Sequence, residues 1–231
     1  MQSELAAAGV SQPLILMLVL AALALAPFVV MMATSFAKLA VVFALIRNAL
    51  GTQQIPPNTV ITGLAMVITI YVMVPVAFNV YRATGDVLQQ NTNQPLLSQA
   101  SLKLLAEAFD KGKEPVREFL LTHAHKPNRA LFFRVAKKLQ KDPEMRDKIG
   151  ENDFLNLIPA FAVSELTEAF QIGFVIFLPF LVIDLVVANV LLSLGMFQIS
   201  PITISLPFKL LLFVLVDGWR LITQGLVEGY A

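Results

Sequence analysis

The sequence contains no cysteine. That excludes a disulfide framework, cysteine redox chemistry and thiolate metal sites, without fixing a compartment. Charge is scarce as well, at 14% of residues, against about 25% in globular chains. No glycine-rich phosphate loop, His-Glu-x-x-His pair or Gly-x-Ser-x-Gly elbow occurs, so the sequence supplies no basis for an enzyme or a resident cofactor. A net charge of +1 gives no reason to expect a nucleic-acid partner. Nor does a basic stretch precede the first apolar run after Met1-Gln2-Ser3-Glu4. That run therefore reads as part of the mature protein and not as a cleaved signal.

The charge that is present sits mostly in one place. Between Arg82 and Asp153, 72 residues hold 23 of the 33 charged side chains, which leaves 10 for the other 159. Those 159 residues cannot build a soluble surface. With 57% hydrophobic residues overall, the chain reads as an all-α membrane protein of apolar helical hairpins with one polar insert. Three regions follow: an amino-terminal hairpin over 1–82, a helical insert over 83–158, and a carboxy-terminal hairpin over 159–231.

Four apolar segments carry the hairpins. Leu14 to Ala37 is free of charge and long enough to cross ~30 Å of hydrocarbon. Pro27 in its middle predicts a kink, and the apolar pattern continues past Lys38 to Arg47. Gly51-Thr-Gln-Gln-Ile-Pro-Pro-Asn58 is a turn, and Ile55 to Tyr81 makes the second arm. The second half is interrupted by Asp184, Lys209 and Asp217, each costing roughly 2.5–3.5 kcal/mol at a bilayer centre. Such segments are better buried against protein than against lipid.

An antiparallel fold about Gly195-Met196-Phe197 sets Asp184 level with Lys209. They form an internal ion pair on the simpler reading, and a proton or ion relay on the other. The echo Leu178-Pro179-Phe180 and Leu206-Pro207-Phe208 predicts matched kinks in the two arms. Glu165 and Glu168 read as charges favouring a helix N-terminus, with a proton-handling pair as the alternative. His123 and His125 read as solvated residues of the insert.

Within the insert, Leu102, Leu105 and Phe109 form one amphipathic stripe, and Leu131, Phe132, Val135 and Leu139 another. Between them Glu114 to Thr122 predicts a short helix with Pro115 in its first turn. About 75 residues make a marginal core, so these stripes are also expected to meet copies of the same insert. The one basic residue in a short connection, Arg47, orients the first hairpin tip to the cytoplasm. At the second tip, Met196 and Phe197 are candidates for a pliable apolar seal. Core packing explains the same residues equally well.

The chain resembles the type III secretion export-apparatus R subunit, whose flagellar counterpart is FliP. The resemblance rests on Met32-Ala-Thr-Ser-Phe-Ala-Lys38, Leu45-Ile-Arg-Asn-Ala-Leu-Gly-Thr-Gln-Gln-Ile-Pro-Pro-Asn58 and Val163-Ser-Glu-Leu-Thr-Glu-Ala-Phe-Gln-Ile-Gly173. Two further stretches are Leu178-Pro-Phe-Leu-Val-Ile-Asp-Leu-Val186 and Ile204 to Trp219. Phe36-Ala37-Lys38 and Ser200 to Phe208 look closer to the injectisome branch. The resemblance implies an export gate at the bacterial inner membrane, partly above the bilayer on the periplasmic side. In it copies of the chain assemble as a pentamer with S and T minor subunits, beside the U switch protein and the V export subunit. Unfolded substrate proteins pass through the centre. It also implies a gasket at Gly195, Met196, Phe197, Gln198 and Ile199 within the loop 195–201. Assembly roles then fall to Lys38, Arg47, Glu165, Asp184, Lys209 and Asp217. From the residues alone, an ion or small-molecule transporter coupled through Asp184 and Lys209 is the alternative.

Overall fold

A computed structural model describes residues 12–52, 55–89 and 99–231, all of whose regular structure is helical. Met1 to Glu4 and Gln53–Gln54 of the turn lie outside the described residues, as do the side chains of Leu102 and Leu105. The first apolar segment forms α1 (Gln12–Met32) and α2 (Phe36–Ala49). They meet at a 65° bend. The break falls at Ala33-Thr34-Ser35 and not at Pro27, which stays inside α1. Short hydroxyl side chains offer the backbone bonds that compete with a helix. Here the Phe36 amide donates to Thr34 Oγ1 at 3.4 Å.

The second segment is α3 (Asn58–Gln89), which runs on through Arg82. The insert contributes α4 (Gln99–His123), α5 (Lys126–Leu139) and α6 (Pro143–Lys148). Pro115 lies inside α4 rather than in the first turn of a separate helix. The stretch before Pro115 has enough helical pattern to continue through it, at the cost of one backbone bond. Asp142 caps α6 by accepting from the Glu144 amide at 3.0 Å, with Pro143 in the first turn.

Helix α7 (Phe154–Ser193) is 40 residues long, ~60 Å at 1.5 Å per residue and about twice the hydrocarbon thickness. It starts in the insert and continues without interruption through the third apolar segment. Two helices, α3 and α7, are long and apolar enough to cross a membrane. The pair α1–α2 passes the same test as a bent unit. So does α8 (Pro201–Leu215) with α9 (Gly218–Glu228), bent by 59° at Asp217.

Helix α2 is the centre of the molecule. Leu39, Val42, Phe43 and Ile46 are wholly buried against Ala65 of α3, Ala169 of α7 and Phe213 of α8. The approach of α2 to α7 depends on Gly173, where an added Cβ would lie 2.3 Å from Leu45 Cδ1. A second core joins the insert to α7 through Phe119, Leu120, Leu157, Ala160 and Phe161. The insert therefore shares its core with the long helix.

Candidate functional site

Three constructions concentrate the chemistry of the chain. The first is the tip between α7 and α8. The Gly195 amide donates to Leu192 O at 3.0 Å and the Met196 amide to Leu191 O at 2.9 Å. Gly195 has φ +72°. This double-bonded glycine cap ends α7 in a fixed direction. Beyond it Met196, Phe197, Gln198 and Ile199 are all exposed, Phe197 to 77%. Pro201 then opens α8, where its missing N–H is no loss.

The second is a node where the two hairpins join. Lys209 Nζ lies 2.6 Å from Asp184 Oδ2 and donates to Ala49 O at 3.2 Å. Ser205 Oγ donates to Asp184 Oδ1 at 2.6 Å. Lys209 is buried and Asp184 a quarter exposed. The ammonium thus neutralises a carboxylate and satisfies an end carbonyl of α2 together. Nearby, Arg47 Nη1 donates to Asn58 Oδ1, tying the end of α2 to the start of α3. Asp217 sits apart at the α8–α9 bend with φ +53°, exposed and 3.4 Å from Arg220 Nε.

The third construction is centred on Lys38, which meets α7 and the tail beyond α9. Its ammonium is 3.3 Å from Glu165 Oε1 and 2.6 Å from Glu168 Oε2, and lies 4.2 Å from the Tyr230 ring centre. The Tyr230 hydroxyl donates to Glu165 Oε2, and His125 Nε2 is 2.6 Å from Glu168 Oε1. Ser164 Oγ accepts from the His125 amide at 2.9 Å and from Asn128 Nδ2 at 2.8 Å, which seats the start of α5 on α7. His123 packs against Phe119 and Tyr230, with ring centres 4.7 and 5.0 Å apart.

Two expectations are corrected here. Glu165 and Glu168 lie three turns into α7, where they face Lys38 and not a helix N-terminus. His123 and His125 are only partly solvated, because α4 and α5 fold onto α7: His123 packs on Tyr230, and His125, 40% exposed, meets Glu168. Burial, then the charge of Lys38, pushes the His123 imidazole below its ordinary value, against a smaller pull from Glu168. Burial, then Glu165, raises the Tyr230 phenol. Sequence reasoning found Lys38 and Glu165 but had no signal for Tyr230 or His125 as their neighbours. Among the described residues no group of three or more His, Asp or Glu is placed to hold a metal ion.

The geometry is that of an all-helical membrane component with buried charge nodes and a projecting apolar tip. The chain belongs to the FliP family, whose model matches residues 19–226. It is 50% identical over 215 residues to the Yop proteins translocation protein R of Yersinia pestis, covering 93% of this chain and 95% of that one. The hypersensitivity response secretion protein HrcR of Ralstonia nicotianae is 42% identical over 211 residues, 90% of this chain and 93% of its own. The flagellar biosynthetic protein FliP of Bacillus subtilis is 40% identical over 222 residues, 96% and 94%. Members of this family are structural components of secretion apparatus, and the chain is not an enzyme.

Proposed function

We propose that the chain is a pore-forming subunit of a type III protein export gate in the bacterial inner membrane, acting in the injectisome branch. The relatives supply the class: one is named for translocation, one for secretion and one for flagellar biosynthesis. The branch rests on Phe36-Ala37-Lys38 and Ser200 to Phe208, the stretches that resemble the injectisome subunits. In this reading copies of the chain form a pentameric ring with the S and T subunits, beside the U and V proteins. Unfolded proteins are the cargo. The residues 83–158 face the periplasm.

One observation carries the gate: Met196 and Phe197 project from a tip held by the Gly195 cap and are both exposed, Phe197 the more so. Repeated around a ring, these side chains make an apolar constriction that excludes water and ions by dewetting. Methionine adapts its shape to irregular cargo. Lys38, Arg47, Glu165, Asp184 and Lys209 then hold the hairpins that aim the tip, and Asp217 shapes the last bend. The test is ion conductance of the assembled complex in a planar bilayer. Met196→Ala with Phe197→Ala makes the closed complex leak small ions. Wild-type conductance in a double variant that remains assembled overturns the gate.

A further inference from the structure

The last three residues, Gly229 to Ala231, do more than end α9. Their backbone bonds back to that helix, the Tyr230 amide to Val227 O at 3.0 Å and the Ala231 amide to Glu228 O at 3.2 Å. The Tyr230 side chain instead reaches three other helices. Its ring stacks on Phe119 of α4 with centres 6.1 Å apart, and meets His123 edge-on at 5.0 Å. The Lys38 ammonium of α2 lies 4.2 Å from its centre, and its hydroxyl donates to Glu165 of α7. The ring packs on the second core, the one that the insert shares with α7. One side chain thus ties the end of the chain to the insert.

Two nitrogen bases rest on this ring. Lys38 is buried and paired with Glu165 and Glu168. Burial, then the charge of Lys38, holds the His123 imidazole below its ordinary value. A proton on His123 sets a second cation against the ring that already carries the first. Glu168 pulls the other way, but it serves both Lys38 and His125 at the start of α5. Glu165 is taken up by Lys38 and the Tyr230 hydroxyl, and α3 brings the apolar Met73 and Val76 to the same core. An imidazolium here needs water, and the smallest movement that admits it is withdrawal of the three-residue tail. Chain ends open locally at far lower cost than packed helices do. We propose that Tyr230 is an acid-released latch, closed on the insert while His123 is neutral and opened when His123 takes up a proton. The proposal goes beyond the export reading and does not depend on it.

The experiment is carboxypeptidase trimming of the full chain in detergent, followed by intact mass. Ala231 and Tyr230 enter the protease only when the tail is free. Fluorescence of Trp219, the sole tryptophan, monitors α9 itself, because its ring packs on Phe213 at 5.4 Å. Acidification through 6.5 speeds trimming of the wild-type chain, by up to about tenfold per pH unit, while Trp219 emission stays unchanged. His123→Phe, compared at each pH so that the protease's own response cancels, shows no such gain. Tyr230→Leu, which removes the ring and the hydroxyl, is trimmed fast at every pH. An equal pH response in the wild-type chain and His123→Phe overturns the proposal. Slow trimming of Tyr230→Leu at neutral pH also overturns it. So does a Trp219 shift that accompanies wild-type trimming, since the whole of α9 would then be opening.

Discussion

A buried lysine has three donors to satisfy, and Lys209 places two of them on groups from both hairpins. It pairs with Asp184 and donates to Ala49 O. Removing one partner leaves an uncompensated buried charge, which costs about 3–5 kcal/mol in a dry interior. Asp184 keeps a quarter of its side chain exposed, so Lys209→Met falls at the low end of that range. The double change Lys209→Met with Asp184→Leu costs less than Lys209→Met alone, because no charge is stranded. Thermal unfolding of the detergent-solubilised protein measures both. This pair was legible in the sequence, because an antiparallel hairpin fixes which residues stand level once its turn is located. The Ala49 carbonyl was not, since α2 and α8 are joined only by tertiary packing. Tyr230 was equally hidden: a lone tyrosine carries no spacing that points to Lys38, 192 positions earlier.

At the scale of helices, glycine marks where two elements approach or where one must stop. Gly173→Ala drives a methyl into Leu45 at 2.3 Å and forces α2 and α7 apart. Gly195→Ala meets no atom within 4 Å but keeps φ +72°, a strain of about 1–2 kcal/mol. The first substitution is therefore the more damaging, read as a larger drop in melting temperature. The contact of α4 with the tail beyond α9 adds a pH dependence. The folded chain holds His123 below 6.5. Between that value and 6.5 the unfolded chain binds a proton that the folded one does not. Stability thus falls as pH is lowered through about 6.5 and levels off once both forms are protonated. His123→Phe gives a shallower slope over this window in the same unfolding assay, and an unchanged slope contradicts the assignment. Element boundaries were the least legible level. Thr34-Ser35 broke a helix where Pro27 did not, and α4 ran through Pro115. At the first site a Thr34 hydroxyl offers the backbone a competing bond, and at the second the helix continues for the loss of one backbone bond.

At the scale of the whole molecule, the scarcity of charge explains the surface. Large apolar side chains of α3, α7 and α8 remain exposed in the single chain, among them Phe78, Phe174 and Phe208. A surface of this kind is completed by lipid or by neighbouring subunits. The helical class and the polar insert were legible from composition, because hydropathy alone separates the two. How the insert shares its core with α7 was not, since a boundary at 158 parts Leu157 from Phe161, which one helix carries into the same core. The absence of cysteine also makes the decisive measurement simple. Phe197→Cys gives a chain whose only thiol sits at the tip. Under mild oxidation in assembled complexes, the export account predicts disulfide-linked pairs of this subunit. It further predicts that a cysteine-bearing substrate stalled in transit captures the thiol instead. A tip thiol that links to neither neighbour nor substrate, while export through the variant continues, would contradict it.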